Sequence, residues 1–131
     1  MKAQVRLTQG AEDDLLGIYR RRLAQRGPDG ADGANALLDH VTGKLETLAD
    51  HPERGPVPPE LEALGIRTYR QLSIPPFRAI YWPELDPSPP TVTIMLIADT
   101  RRDFRVLLEE RVLRGTGLAN PNRTKTTQFP G

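Results

Sequence analysis

The chain has 131 residues, of which 37% are hydrophobic and 27% charged, with a formal net charge of +1 and no cysteine. That length fits one domain with its own core, and the balance suits a globule better than a disordered chain. The missing cysteines exclude disulfides, thiolate nucleophiles and cysteine-ligated zinc. No apolar run approaches the roughly 18 residues of a membrane helix, and the opening MKAQVRLTQG lacks the apolar stretch of a signal peptide, so a cytoplasmic protein with no membrane partner is expected.

Residues 3 to 8 alternate small or apolar with polar side chains, which predicts a half-buried strand. Thr8 is placed to cap a following helix whose early turns carry Glu12, Asp13 and Asp14, where the helix dipole favours anions. Ala11, Leu15, Ile18, Tyr19 and Leu23 recur on one helical face, and Arg20, Arg21 and Arg22 approach the negative end. Gly27-Pro28 is expected to stop this helix, with a Gly- and Asp-rich turn over Pro28 to Gly33. A second amphipathic helix follows on Ala34, Leu37, Leu38, Val41, Leu45 and Leu48 and ends at Pro52. The short connection predicts an antiparallel helical hairpin whose apolar face needs a sheet.

The segment Glu53 to Gly65 reads as a connecting loop with one helical turn around Pro59 to Leu64. Three strand-like runs come next, Ile66 to Ile74, Phe77 to Trp82 and Thr91 to Ala98, the last nearly all apolar and expected to be the most buried. Pro75-Pro76 joins the first two, and Pro83 to Pro90 the second and third. Thr100 to Asp103 has capping-box spacing ahead of a helix striped by Phe104, Leu107, Leu108 and Val112 and closed by Gly115. The domain is therefore expected to span residues 1–115, with 116–131 a flexible basic tail. The reading is an α+β fold: a small antiparallel sheet in the order β-α-α-β-β-β-α, packed on an N-terminal helical hairpin with a C-terminal helix.

His40 and His51 are the only histidines. On a helix their spacing sets them about 16 Å apart, too far to share a metal ion. With no glycine-rich phosphate loop after a strand either, no metal or organic cofactor is expected. Arg101, Arg102, Arg105, Arg111 and Arg114 suggest a basic face for an acidic partner, against the plainer reading of a solvated helix face.

The element order, together with Val5-Arg6-Leu7-Thr8 before Ala11-Glu12-Asp13-Asp14-Leu15, the Leu48 to Gly55 end of the hairpin, Gly65-Ile66-Arg67-Thr68-Tyr69, Phe77-Arg78-Ala79-Ile80-Tyr81 and Asp99-Thr100-Arg101-Arg102-Asp103, resembles the RelE/ParE superfamily of toxins. The resemblance runs from residue 3 to about 114. It implies the toxin of a type II toxin-antitoxin system, covered by a cognate antitoxin with an acidic binding segment. Two activities share the scaffold. ParE-like members bind and stall DNA gyrase; RelE-like members cut mRNA on the ribosome. A third reading is an interaction module without toxicity.

The resemblance makes Arg67, Arg70, Arg78, Arg101 and Arg102 the expected target-binding set. In a nuclease, Arg67, Arg78 and Arg102 would steady the phosphate, and Tyr81 or Tyr69 would carry the proton. Arginine is a poor acid or base because it stays protonated. RelE-like enzymes usually add strand lysines and a tyrosine or histidine in or after the last helix. Here Ile66 to Ala98 holds no lysine, and the chain after Arg102 holds neither tyrosine nor histidine. That favours gyrase binding. Asp103 and Arg102 also have a structural reading, the first as a helix cap and the second as a partner of an acid such as Asp99.

Overall fold

A computed structural model of the chain describes residues 2–26, 30–114 and 126–128. Strand β1 (Gln4–Thr8) passes directly into α1 (Gln9–Arg26), and the Thr8 hydroxyl accepts the Ala11 amide at 3.1 Å, the cap that the sequence suggested. Helix α2 (Gly30–Glu46) ends in a 3₁₀ turn over Thr47–Ala49. It begins within the predicted Gly/Asp turn, so Gly30 to Gly33 are helical, and the expected stop at Gly27-Pro28 lies outside the described residues.

A short helix α3 (Pro59–Glu62) follows. The predicted strand from Ile66 starts only at Arg70. Gly65 (φ +77°) closes α3, its amide reaching the Glu62 carbonyl while the Ile66 amide reaches Leu61, a Schellman cap. Ile66 is thereby committed to the helix end.

Strands β2 (Arg70–Ile74), β3 (Phe77–Glu84) and β4 (Thr91–Asp99) form an antiparallel meander, and the sheet order is β2-β3-β4-β1-β5. Here the all-antiparallel expectation needs correction, because β1 runs parallel to β4, with Leu7 opposite Ile94. Tight turns force β2, β3 and β4 to alternate, whereas β1 reaches its neighbour only through the helical hairpin, and a crossover permits parallel pairing. The predicted tail supplies β5 (Thr126–Gln128), antiparallel to β1; residues 115–125 and 129–131 lie outside the described set.

The sheet is covered on both faces. Val5, Leu7, Leu72, Ala79, Tyr81 and Ile94 meet Ala11, Leu15 and Ile18 of α1 and Val41 and Leu45 of α2. On the other face Ile80, Leu96 and Ala98 meet Leu61 and the residues Phe104, Leu107, Leu108 and Val112. Burial on both sides explains why β4 carries apolar residues without alternation. Residues 104–108 form α4, which continues as a π-helical turn over Glu109–Arg114. Its N-cap is Asp103, whose carboxylate accepts the Arg105 and Val106 amides, so the acid caps the helix itself instead of answering Thr100 in a capping box.

Candidate interaction surface

The predicted site residues divide into two groups. Tyr81 is wholly buried in β3, and its hydroxyl accepts the Gly55 amide at 3.1 Å; burial raises its pKa, as it does that of buried Tyr69. Gly55 is required there, since a Cβ would sit 1.8 Å from the Gln71 carbonyl oxygen. The same loop shields the β2 edge, the Gln71 amide donating to the Pro56 carbonyl at 2.9 Å.

Arg70 donates to the Gly55 carbonyl at 3.1 Å and lies 3.7 Å from Glu53. Arg78 makes a two-pronged bond to Glu60 at 2.9 and 3.0 Å, reaches Gln71, and lies 4.0 Å from the centre of the Phe104 ring. Its charge thus ties β3 to β2, α3 and α4. The Arg78 guanidinium holds the Glu60 carboxyl below its ordinary range, with burial opposing. Arg67 stays on the surface, paired with Glu62.

Arg101 and Arg102 belong elsewhere. They sit in the turn between β4 and α4, both exposed. Arg101, not Arg102 as expected from the sequence, takes Asp99, through Nε at 3.0 Å, a terminal nitrogen at 3.1 Å and its own amide at 2.8 Å. These bonds, with Arg21 nearby, lower the Asp99 pKa. No hydrogen bond from the Arg102 side chain is seen among the described residues; only its amide is held, by the Asp99 carbonyl at 3.0 Å.

This turn borders a cleft of about 640 Å³ between α1, the end of β4 and α4, lined among others by Asp13, Arg21, Leu96, Asp99, Arg102 and Leu107. The cleft exists because β1 stops short of β4. Pairing ends at Ile94, and a bulge follows, with Ile80 opposite Leu96 and Tyr81 opposite Ile94, so that Met95 is the extra residue. Two side chains satisfy the backbone groups that β1 leaves. Asp14 accepts the Ile97 amide at 2.9 Å, and Arg111 donates to the Met95 carbonyl at 3.3 Å. Arg111 also grips Asp14 at 3.1 and 3.0 Å, with both side chains largely covered.

Sequence reasoning gave Asp14, Arg21 and Glu60 no place in a site, and it read Arg111 only as part of a basic face, not as the partner of Asp14. Asp14 and Arg111 are 97 positions apart, and no local pattern links them. Arg21 stood at the end of a helix with two other arginines, and nothing local separated it from a solvated face. The described residues contain no group of three His, Cys, Asp or Glu side chains arranged to hold a metal, and no helix long and apolar enough to cross a membrane.

Residues 5–104 match the family model described as the ParE toxin of type II toxin-antitoxin system, parDE. No curated protein matches the sequence.

Proposed function

The chain belongs to the ParE toxin family of type II toxin-antitoxin systems, and from that premise we propose that it acts by binding DNA gyrase, without breaking a bond, and is silenced by a cognate antitoxin with an acidic binding segment. The observation that carries this reading is the state of the tyrosine and arginines that a nuclease would need. Tyr81 is sealed in the core on a backbone amide, and Arg78 is held by Glu60, Gln71 and Phe104. RNA cleavage needs a side chain that moves a proton, which the exposed arginines cannot do at neutral pH. Stalling a large partner needs only a complementary surface, and the turn carrying Arg101 and Arg102 offers exposed cations on a rigid frame.

The test compares wild type with Arg67→Ala, Arg78→Ala and Arg102→Ala, each checked for folding by circular dichroism. Gyrase supercoiling and ribosome-dependent mRNA cleavage are assayed side by side. Wild type should inhibit supercoiling and leave mRNA whole. Arg102→Ala should weaken inhibition by several-fold to tenfold with an unchanged melting temperature, whereas Arg78→Ala should act mainly through lost stability. Cleaved mRNA with normal supercoiling would replace this reading with the nuclease, and inertness in both assays would point to an interaction module.

A further inference from the structure

Two cations of the helical hairpin have no counter-ion. Arg21 and Arg22 of α1 make no hydrogen bond or ion pair among the described residues, and Arg21 only stands near Asp99, which Arg101 already holds. Arg22 lies against the start of α2, where a Cβ on Gly33 would sit 3.3 Å from its Nε and from a terminal nitrogen. The Nε is closed off from solvent without an acceptor, and Asp32 in the same turn of α2 makes no ion pair with it. A guanidinium held in this way, its hydrogen-bonding capacity unused, is unfavourable until an acceptor is supplied. Both arginines line a cavity of about 330 Å³ between the hairpin, the turn from β2 to β3 and the end of β4. There the guanidinium groups of Arg21, Arg22 and Arg101 meet one carboxylate, that of Asp99, beside an apolar wall of Ile18, Leu37 and Phe77. The bond between Arg101 and Asp99 leaves the charges of Arg21 and Arg22 uncompensated.

We propose that this cavity binds a small phosphate monoester, with the phosphate held by Arg21 and Arg22 and the organic part seated on Ile18, Leu37 and Phe77. The inference goes beyond the toxin reading and does not depend on which target the chain engages. Charge selects the ligand class. A phosphate monoester carries roughly −1.5 to −2 at neutral pH, which matches the two cations left over. A carboxylate, a sulfate ester or a phosphodiester of a nucleic-acid backbone carries a single charge and would leave one of them unanswered. Shape agrees with charge, because planar guanidinium forks take phosphate oxygens in pairs. The volume stands at the lower end of the roughly 300–1,000 Å³ of small-molecule sites, which suits one ring and its phosphate and not a polymer.

The experiment titrates the full chain, by calorimetry, with phenyl phosphate, phenyl sulfate, inorganic phosphate and a short oligothymidylate carrying a 5′-phosphate. Phenyl phosphate should bind one per chain and raise the melting temperature. It should bind about tenfold more tightly than phenyl sulfate, the same shape with one charge fewer, and more tightly than inorganic phosphate, which lacks the ring. The Arg21→Ala/Arg22→Ala variant, checked for folding by circular dichroism, should lose about tenfold or more for phenyl phosphate. Arg21→Lys/Arg22→Lys, which keeps the charges without the forks, should fall between that variant and wild type, and Arg20→Ala, on the same helix but outside the cavity, should match wild type. Equal affinity for the phosphate and sulfate esters, equal affinity of wild type and the double alanine variant, or no measurable binding of phenyl phosphate would overturn the site. Tighter binding of the oligothymidylate than of phenyl phosphate would overturn its assignment to a small molecule.

Discussion

Glu60 and Arg78 show how one pair can look functional in sequence and prove structural in three dimensions. The Glu60 pKa lies below its ordinary value of 4.5, chiefly because Arg78 hydrogen-bonds the carboxylate. A carboxyl depressed by folding stabilises the native state above its unfolded pKa and ceases to do so as pH falls through the folded value. Wild type should therefore exceed Glu60→Gln in urea stability at pH 7, and the two should converge as the pH drops below 4.5. Curves that stay parallel through that window would show that the carboxylate is not the source. The residues that were legible in sequence are those whose partners are close by: Asp103 caps the helix that it precedes, and Thr8 does the same for α1. Arg78 was legible as a cation but not as a locked one, because Glu60 stands 18 positions away and Phe104 arrives from the last helix. The Asp99 partner was misjudged by one residue, since the turn brings the Arg101 guanidinium back over the carboxylate.

Among the elements, helical periodicity located both helices of the hairpin, whereas the meander strands were read from runs of β-branched and aromatic residues, β4 as an unbroken apolar stretch because both its faces are buried. Neither signal showed the parallel pairing of β1, which depends on a path through two helices, or the Met95 bulge, which has no signature within an unbroken apolar run. Gly10 is where these features can be tested. A Cβ there would lie 2.5 Å from a terminal nitrogen of Arg111. That guanidinium is the end of a flexible side chain and would swing aside, giving up its bonds to Asp14 and the Met95 carbonyl. Gly10→Ala should therefore cost about 1.5–3 kcal/mol, the range for hydrogen bonds to charged groups. In a double-mutant cycle, Gly10→Ala should add little once Arg111→Ala is present. Full additivity would place the effect of the methyl group elsewhere in α1.

For the whole molecule, family membership was legible because it rests on the order of elements, while the cleft was not, because it is made by the mismatch in length between β1 and β4. Among the described residues, the outer edge of β1 is covered over Arg6 to Thr8, by the three residues of β5. A chain ending at Gly115 would leave that edge open, and an unpaired edge beside an apolar face is a template for another strand. Such a truncation should raise the apparent mass in light scattering as concentration increases, whereas the full chain should not change. A truncated protein that stays at constant mass across that range would mean that the β1 edge is protected by other means.

The parallel register of β1 also orders events during synthesis. Its strand partners are β4 and β5, so the first strand to emerge cannot enter the sheet until Thr91 to Ile94 have been made. At roughly 5–20 residues per second, the intervening stretch of the chain takes several seconds or more to synthesise. Throughout that interval the hairpin lacks most of the sheet that buries its apolar face, and the arginines at the end of β4 have not yet been set against α1. The toxin thus acquires its assembled surface only when translation of the domain is nearly complete, and a partner already present at that moment meets it at its first appearance.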